Sequence, residues 1–222
     1  MTPARPWAVL FDVDGTLLDT VEFILASVRY AFEGHPHPPT DEQWIAGIGS
    51  PLKVMAERFT SGPEEAARVS ARYRAHQVEH VERLTRPFDA AVEVVRELAG
   101  RGHPIGVVTG KTDATAARAL KLTGLAPFVG AIVGATSCPE HKPSPVPVLL
   151  ALEKLGRPPA EALFLGDSVL DVQAGNAAGV VSVGVLWGAA TREALAAAGA
   201  RLLLDDLAEV PALVARVSGA GS

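Results

Sequence analysis

The chain has 222 residues, 48% of them hydrophobic, which suffices for one large α/β domain or a core domain carrying a smaller insertion. Its 20 basic residues are scattered under a formal charge of -5, so no basic stripe serves nucleic acid, and small molecules are the expected partners. The one cysteine, Cys138, excludes an intrachain disulfide framework, suits a reducing compartment and reads as an inert thiol.

In chain order, MTPARPWAVLFDVDG meets acidic residues after about five apolar positions, too soon for the apolar region of an export signal. Ala8 to Val13 reads as a first strand. From Asp19 to about Pro87 the chain reads as wholly helical. Within it, Thr40-Asp-Glu-Gln43 fits a capping box, Ser50-Pro51 an N-cap with proline at the first helical position, and Gly62-Pro63 opens a run to about Leu84. Turn-rich GHPHPPT (34–40) separates the first two helices.

Strand and helix then alternate. Asp89 precedes a helix closed by Gly100 and Gly102, and Ser144-Pro145 opens one that ends at Gly156. The strands are Ile105 to Thr109, Ala131 to Gly134, Ala162 to Gly166, Val181 to Leu186 and Arg201 to Leu204. Runs apolar at nearly every position suit parallel strands covered on both faces. The expected fold is a doubly wound, Rossmann-like α/β sheet built from residues 1–18 and 88–222, with residues 19–87 as an inserted all-helical domain. The most apolar later stretch, Val180 to Ala190, is far shorter than the roughly 20 residues that span a bilayer, so the expectation is a cytoplasmic protein with no membrane partner. The terminal GAGS reads as frayed.

Ligands of such sheets bind beyond the carboxyl ends of the strands, so the residues after each apolar run matter most. The first run ends in Phe11-Asp12-Val13-Asp14-Gly15-Thr16. Carboxylates so close are costly in repulsion and desolvation unless a cation or separate chemical tasks justify them; a solvated Asp-Gly turn is the plainer alternative. The fourth run ends in Gly166-Asp167-Ser168-Val-Leu-Asp171, which adds two carboxylates about one helical turn apart, although Asp171 also suits a helix amino terminus. Together Asp12, Asp14, Asp167 and Asp171 favour a hard cation. Magnesium, which keeps several waters and needs only a few more oxygens, is the expected cofactor.

An anionic substrate needs counterweights, and the other strand ends supply them. Thr109, the Gly110 amide and Lys111 follow the second run, and His141-Lys142-Pro143 follows the third. The stretch GVVTGKT (106–112) nearly matches a nucleotide-binding P-loop, but it is one residue short and has valines where that loop must curl. It reads instead as the end of a buried strand.

The ordered set DVDGTLLDT (12–20), VVTGK (107–111), HKP (141–143) and GDSVLD (166–171) resembles the haloacid dehalogenase superfamily of phosphohydrolases, over nearly the whole chain. The helical insertion resembles that family's type-1 cap. The resemblance implies that Asp12 is the nucleophile taking up the phosphoryl group, and that Asp14 protonates the leaving group and then activates water. It implies phosphate binding by Thr109 and Lys142. The metal would be held by Asp12, the Asp14 backbone carbonyl and Asp167, with Asp171 supporting. An acid at position 14 argues for a phosphatase over a dehalogenase, because a departing alkoxide needs a proton. A phosphomutase and a non-catalytic binding module are the competing readings.

Within the family, Ala46-Gly47-Ile48-Gly49-Ser50-Pro51 resembles the cap loop that enters the site of phosphoglycolate phosphatases, where Gly47 and Gly49 would permit close approach. Lys111 and the segments YRAHQVEH, KLTGL, HKPSP and NAAG lean toward the pyrophosphatase branch. The expected partner is therefore a small phosphorylated metabolite or pyrophosphate, with Lys111 reading a second anionic group, and the expected assembly a monomer or weak dimer. His76-Gln-Val-Glu-His80 matches a zinc-protease pattern but has no third ligand nearby. Its histidines read as solvated or as lining the cap.

Overall fold

A computed structural model describes residues 5–219; apart from Gly219, the segment expected to fray lies outside them. The chain opens with β1 (Ala8–Phe11) and the two-residue β2 (Leu18–Asp19). Four helices follow: α1 (Val21–Ala31), α2 (Asp41–Ile45), α3 (Leu52–Arg58) and α4 (Pro63–Leu84). After β3 (Arg86–Pro87) comes the alternation α5 (Ala91–Gly100), β4 (Ile105–Val108), α6 (Asp113–Leu122), β5 (Ala131–Val133), α7 (Val146–Leu155) and β6 (Ala162–Gly166). It continues through α8 (Val169–Ala178), β7 (Val181–Val185), α9 (Arg192–Ala197), β8 (Leu202–Leu204) and α10 (Val210–Val217).

Six strands form one parallel sheet in the order β5-β4-β1-β6-β7-β8. The pleat explains why the β1 sequence is apolar throughout. Val9 and Phe11 join a core with Val95 and Leu98 of α5 and Val214 of α10, whereas Ala8 and Leu10 face a second core with Val148 and Leu152 of α7 and Ala174 of α8. From β1 the chain adds β4 and β5 on one side, then β6, β7 and β8 on the other. The order reverses at β1, so the crevice for a ligand opens at its carboxyl end.

Helices α1 to α4 build a third core from Ile24, Val28, Phe32, Trp44, Met55 and Val69. Strands β2 and β3 pair antiparallel, Leu18 opposite Pro87 and Asp19 opposite Arg86. The two crossings between helices and sheet thus lie side by side. Among the described residues, no helix is long and apolar enough to cross a membrane.

Several expected boundaries shift. β1 ends at Phe11 and β4 at Val108, short of Val13 and Thr109, because the chain turns there; the Asp12 and Thr109 amides still donate to Leu165 and Val133. The Thr40–Gln43 capping box forms as expected. Pro51 itself is the N-cap of α3, so the helix starts one residue later than expected. Asp89 does not cap α5: its N-cap is Ala90, at φ 65, with no side-chain acceptor.

Candidate active site

Asp12 is held at the end of β1 by its amide bond to Leu165 O at 2.8 Å, and is almost wholly buried. The chain then folds back, with the Leu17 and Leu18 amides donating to Val13 O, through Gly15 at φ +75. That glycine is required twice over: its φ is left-handed, and a Cβ there would overlap the Asp167 carboxylate. Gly188, after β7, presses on Asp167 in the same way. Wrapped so closely, Asp167 accepts from Ala189 N at 2.8 Å and from Thr16 Oγ1 at 3.2 Å.

Ser168 is the N-cap of α8, and Asp171 completes a capping box with it. Asp171 Oδ2 takes Ser168 Oγ at 2.5 Å and Ser168 N at 3.1 Å, while its Oδ1 takes Lys142 Nζ at 2.5 Å. Asp171 is thus both a helix cap and the anchor of the buried Lys142. That ammonium also lies 3.0 Å from Asp12 Oδ1 and donates to Val108 O at 3.3 Å.

Asp12, Asp167 and Asp171 offer carboxylate oxygens within 4.8 Å of one another, all buried. Burial pushes Asp12 up to about 7 against the pull of Lys142, with Asp171 and Asp14 adding to the rise. Burial, then Asp12 and Asp171, hold Asp167 well above the usual carboxylate range. Burial opposes the Lys142 charge, yet Asp12 and Asp171 outweigh it and raise its pKa. Asp12 Oδ1 is buried without an aligned hydrogen-bond donor, close as Lys142 is. Four carboxyl groups, Asp12, Asp14, Asp167 and Asp171, thus share two ammonium groups, Lys111 and Lys142. A divalent cation suits both the orphaned oxygen and the charge balance.

The Asp14 side chain has partners of its own, which leaves its backbone carbonyl as the group expected to reach a cation. Its Oδ1 takes Thr20 Oγ1 at 2.5 Å and Lys111 Nζ at 2.9 Å, and its carboxylate stands apart from the buried trio. Thr20 closes DVDGTLLDT, but its partnership with Asp14 depends on the turn at Gly15 and no local signal announced it. Lys111, expected to face the substrate, lines the cavity and pairs with Asp14.

Above the trio lies a cavity of about 490 Å³, within the range of small-molecule sites. Asp12, Asp14, Thr109, Gly110 and Lys111 line its sheet side, and Gly47, Gly49, Tyr73 and Arg74 its helical side. Lys142, Asp167 and Asp171 lie beneath. The close approach expected of the glycine loop is taken up at Gly110, where a Cβ would come within 2.6 Å of Gly49 O and 2.7 Å of Ser50 O. Gly49, at φ +98, would bring a Cβ to 3.1 Å from Ser168 Oγ. Thr112 is the N-cap of α6, accepting from Thr115 N, so GVVTGKT is strand, turn and helix cap.

His76 and His80 lie edge to face, ring centroids 4.4 Å apart, and His76 Nδ1 is 2.9 Å from Ser27 Oγ on α1. They belong to the α1–α4 packing, and among the described residues the one metal-competent trio is that around Asp12. Burial, then Glu140, push the Cys138 thiol up, in keeping with an inert cysteine.

The family model described as haloacid dehalogenase-like hydrolase matches residues 9–185. The chain belongs to this family. Among similar hydrolases, "Pyrophosphatase PpaX" of Bacillus velezensis is 35% identical over 212 residues, covering 95% of this chain and 97% of that protein. A protein of the same name from Halalkalibacterium halodurans is 36% identical over 173 residues, covering 78% and 80%. Among solved structures, a hydrolase from Pseudomonas syringae superposes with TM-score 0.84 at 27% identity, covering 93% and 97%. A predicted phosphoglycolate phosphatase from Haemophilus somnus has TM-score 0.85 at 23% identity, covering 96% and 99%, a likeness of fold.

Proposed function

We propose that this hydrolase is a magnesium-dependent phosphohydrolase that works through an aspartyl-phosphate on Asp12 and acts on a small phosphorylated metabolite, phosphoglycolate or one like it. The observation that carries this is Asp12 itself: a buried carboxylate with an orphaned oxygen, held among Asp167, Asp171 and Lys142 at the floor of a ligand-sized cavity. Asp12 and Asp167, with Asp171 behind them, would hold the metal. When bound, it supplies positive charge against phosphate oxygens that gain charge in the transition state.

Asp12 attacks phosphorus, forming a P–O bond as the bond to the leaving oxygen breaks, and Asp14 delivers its proton to that oxygen. Asp14, now a carboxylate, then takes a proton from the water that cleaves the acyl phosphate, releasing phosphate and restoring Asp12. Thr20 and Lys111 hold Asp14 at the cavity edge for both tasks. Lys142, the Thr109 hydroxyl and the Gly110 amide hold phosphoryl oxygens. We take helices α1 to α4 as a cap, residues 19–87, hinged at the β2–β3 pair, with Gly47 and Gly49 on the loop that closes on Gly110. Closure excludes bulk water from the acyl phosphate. A cytoplasmic location suits such a metabolite.

Pyrophosphate is the second reading, favoured by the near full-length similarity to proteins named pyrophosphatase PpaX. Measuring phosphate released from a panel of phosphorylated metabolites and pyrophosphate, with magnesium and with chelator, tests both. The expected result is metal-dependent turnover with one small, doubly anionic substrate ahead of the rest. No release from any substrate would refute the proposal.

A further inference from the structure

Once the carboxylates of the site are matched to its ammonium groups, the cavity retains a cation with no acid beside it. Lys142 lies against Asp12 and Asp171, and Lys111 against Asp14. Lys53, at the outer wall, is 80% exposed and lies 3.9 Å from Glu57. Arg74 on α4 lines the same cavity, and among the described residues no carboxylate comes within ion-pair distance of it. Its near neighbour Arg72 contrasts with it, being tied to Tyr30 O at 2.7 Å and Glu33 at 3.4 Å.

Arg74 is itself exposed, and the rotation of α4 brings it to the rim of the cavity. Arg74, Gln77 and Val78 share one helical face and all line the cavity. Gln77 is pinned to α1, its Nε2 donating to Ser27 Oγ at 2.8 Å, and His76 meets the same hydroxyl. These contacts fix the angular setting of α4 and with it the side on which Arg74 emerges. His141, which also lines the cavity, belongs to the connection between β5 and α7 on the sheet side.

We propose that Arg74 binds a second anionic group of the substrate, a carboxylate or phosphate joined through the leaving oxygen to the phosphoryl group that Asp12 receives. This rests on the phosphohydrolase reading above and transfers to Arg74 the role that the sequence suggested for Lys111. A guanidinium presents a planar fork that matches either oxyanion. Asp12 and Arg74 line the same cavity of about 490 Å³.

The test compares kcat/KM of the wild type, R74A, R74K and K53A on pyrophosphate, 2-phosphoglycolate and p-nitrophenyl phosphate, whose leaving group has no second oxyanion of this kind. Losing a charge-assisted hydrogen bond in R74A should lower kcat/KM on the preferred doubly anionic substrate by about tenfold more than on the nitrophenyl ester, chiefly through KM. R74K should retain more than R74A by keeping the charge without the fork, and K53A should show no such selectivity. A selective loss on pyrophosphate identifies a phosphate as the group bound, and one on phosphoglycolate a carboxylate. Equal losses on all three substrates, or selectivity lost in K53A instead, would overturn the assignment to Arg74 while leaving the phosphohydrolase intact. A wild type inactive on every substrate would overturn both.

Discussion

Lys111 and Asp14 set the chemistry of this site at the level of single side chains. Their 2.9 Å contact ties the proposed acid and base to a cation, while Thr20 fixes the same carboxylate oxygen from the other end of its turn. K111A is therefore expected to slow every substrate alike, by about tenfold in kcat, whereas D14N removes the proton transfer itself and costs about 10² to 10⁴-fold. Steady-state rates on esters with good and poor leaving groups check this: D14N should be most impaired on the poor ones. Asp12, Asp14, Thr109, Lys142, Asp167 and Asp171 were legible in the sequence because each follows an apolar run, where an open parallel sheet places its ligands. Thr20 and Arg74 were not. Thr20 meets Asp14 through a turn and Arg74 reaches the cavity through the rotation of α4, neither of which local spacing encodes.

At the scale of elements, the approach of the Gly49–Ser50 backbone to Gly110 is the contact that joins loop to sheet. G110A puts a methyl group within 2.6 Å of Gly49 O and 2.7 Å of Ser50 O, atoms that cannot rotate away, so the loop must retreat. Activity should fall by more than about tenfold while unfolding stays cooperative, since the change lies outside the three apolar cores. The α1–α4 pair carries a pH signature. Burial first, then His80, lower the His76 pKa below 6.5 in the folded state, so the unfolded chain takes up the proton more readily. The stabilisation is therefore present above about pH 6.5 and lost as pH falls below it. Thermal melts of wild type and H76Q between pH 7.5 and 5 should show a smaller decline in the variant; parallel declines would show that His76 is not responsible. Helix starts were legible where a side-chain cap exists, as at Thr40, but the left-handed Ala90 carries no residue signal and displaced the cap expected at Asp89.

The whole molecule combines a parallel sheet that reverses order at β1 with a helical segment joined to it through β2 and β3. The sheet was legible because strands buried on both faces must be apolar at every position, and the strand order follows once the site has to lie at the reversal. The placement of helices over the site was legible only through the family resemblance of the Ala46–Pro51 loop, since it depends on glycine and backbone contacts between distant segments. Four carboxyl groups against two ammonium groups predict that folding and metal binding are linked. Magnesium should raise Tm, and D167N, which removes one of the carboxylates that would hold it, should abolish that rise while leaving Tm in chelator near that of the wild type. The central claim is that Asp12 accepts the phosphoryl group. Phosphate release from p-nitrophenyl phosphate and pyrophosphate by folded D12N, with saturating magnesium, tests it most directly. No turnover above background is expected on either substrate, and turnover near the wild-type rate would show that Asp12 is not the phosphoryl acceptor.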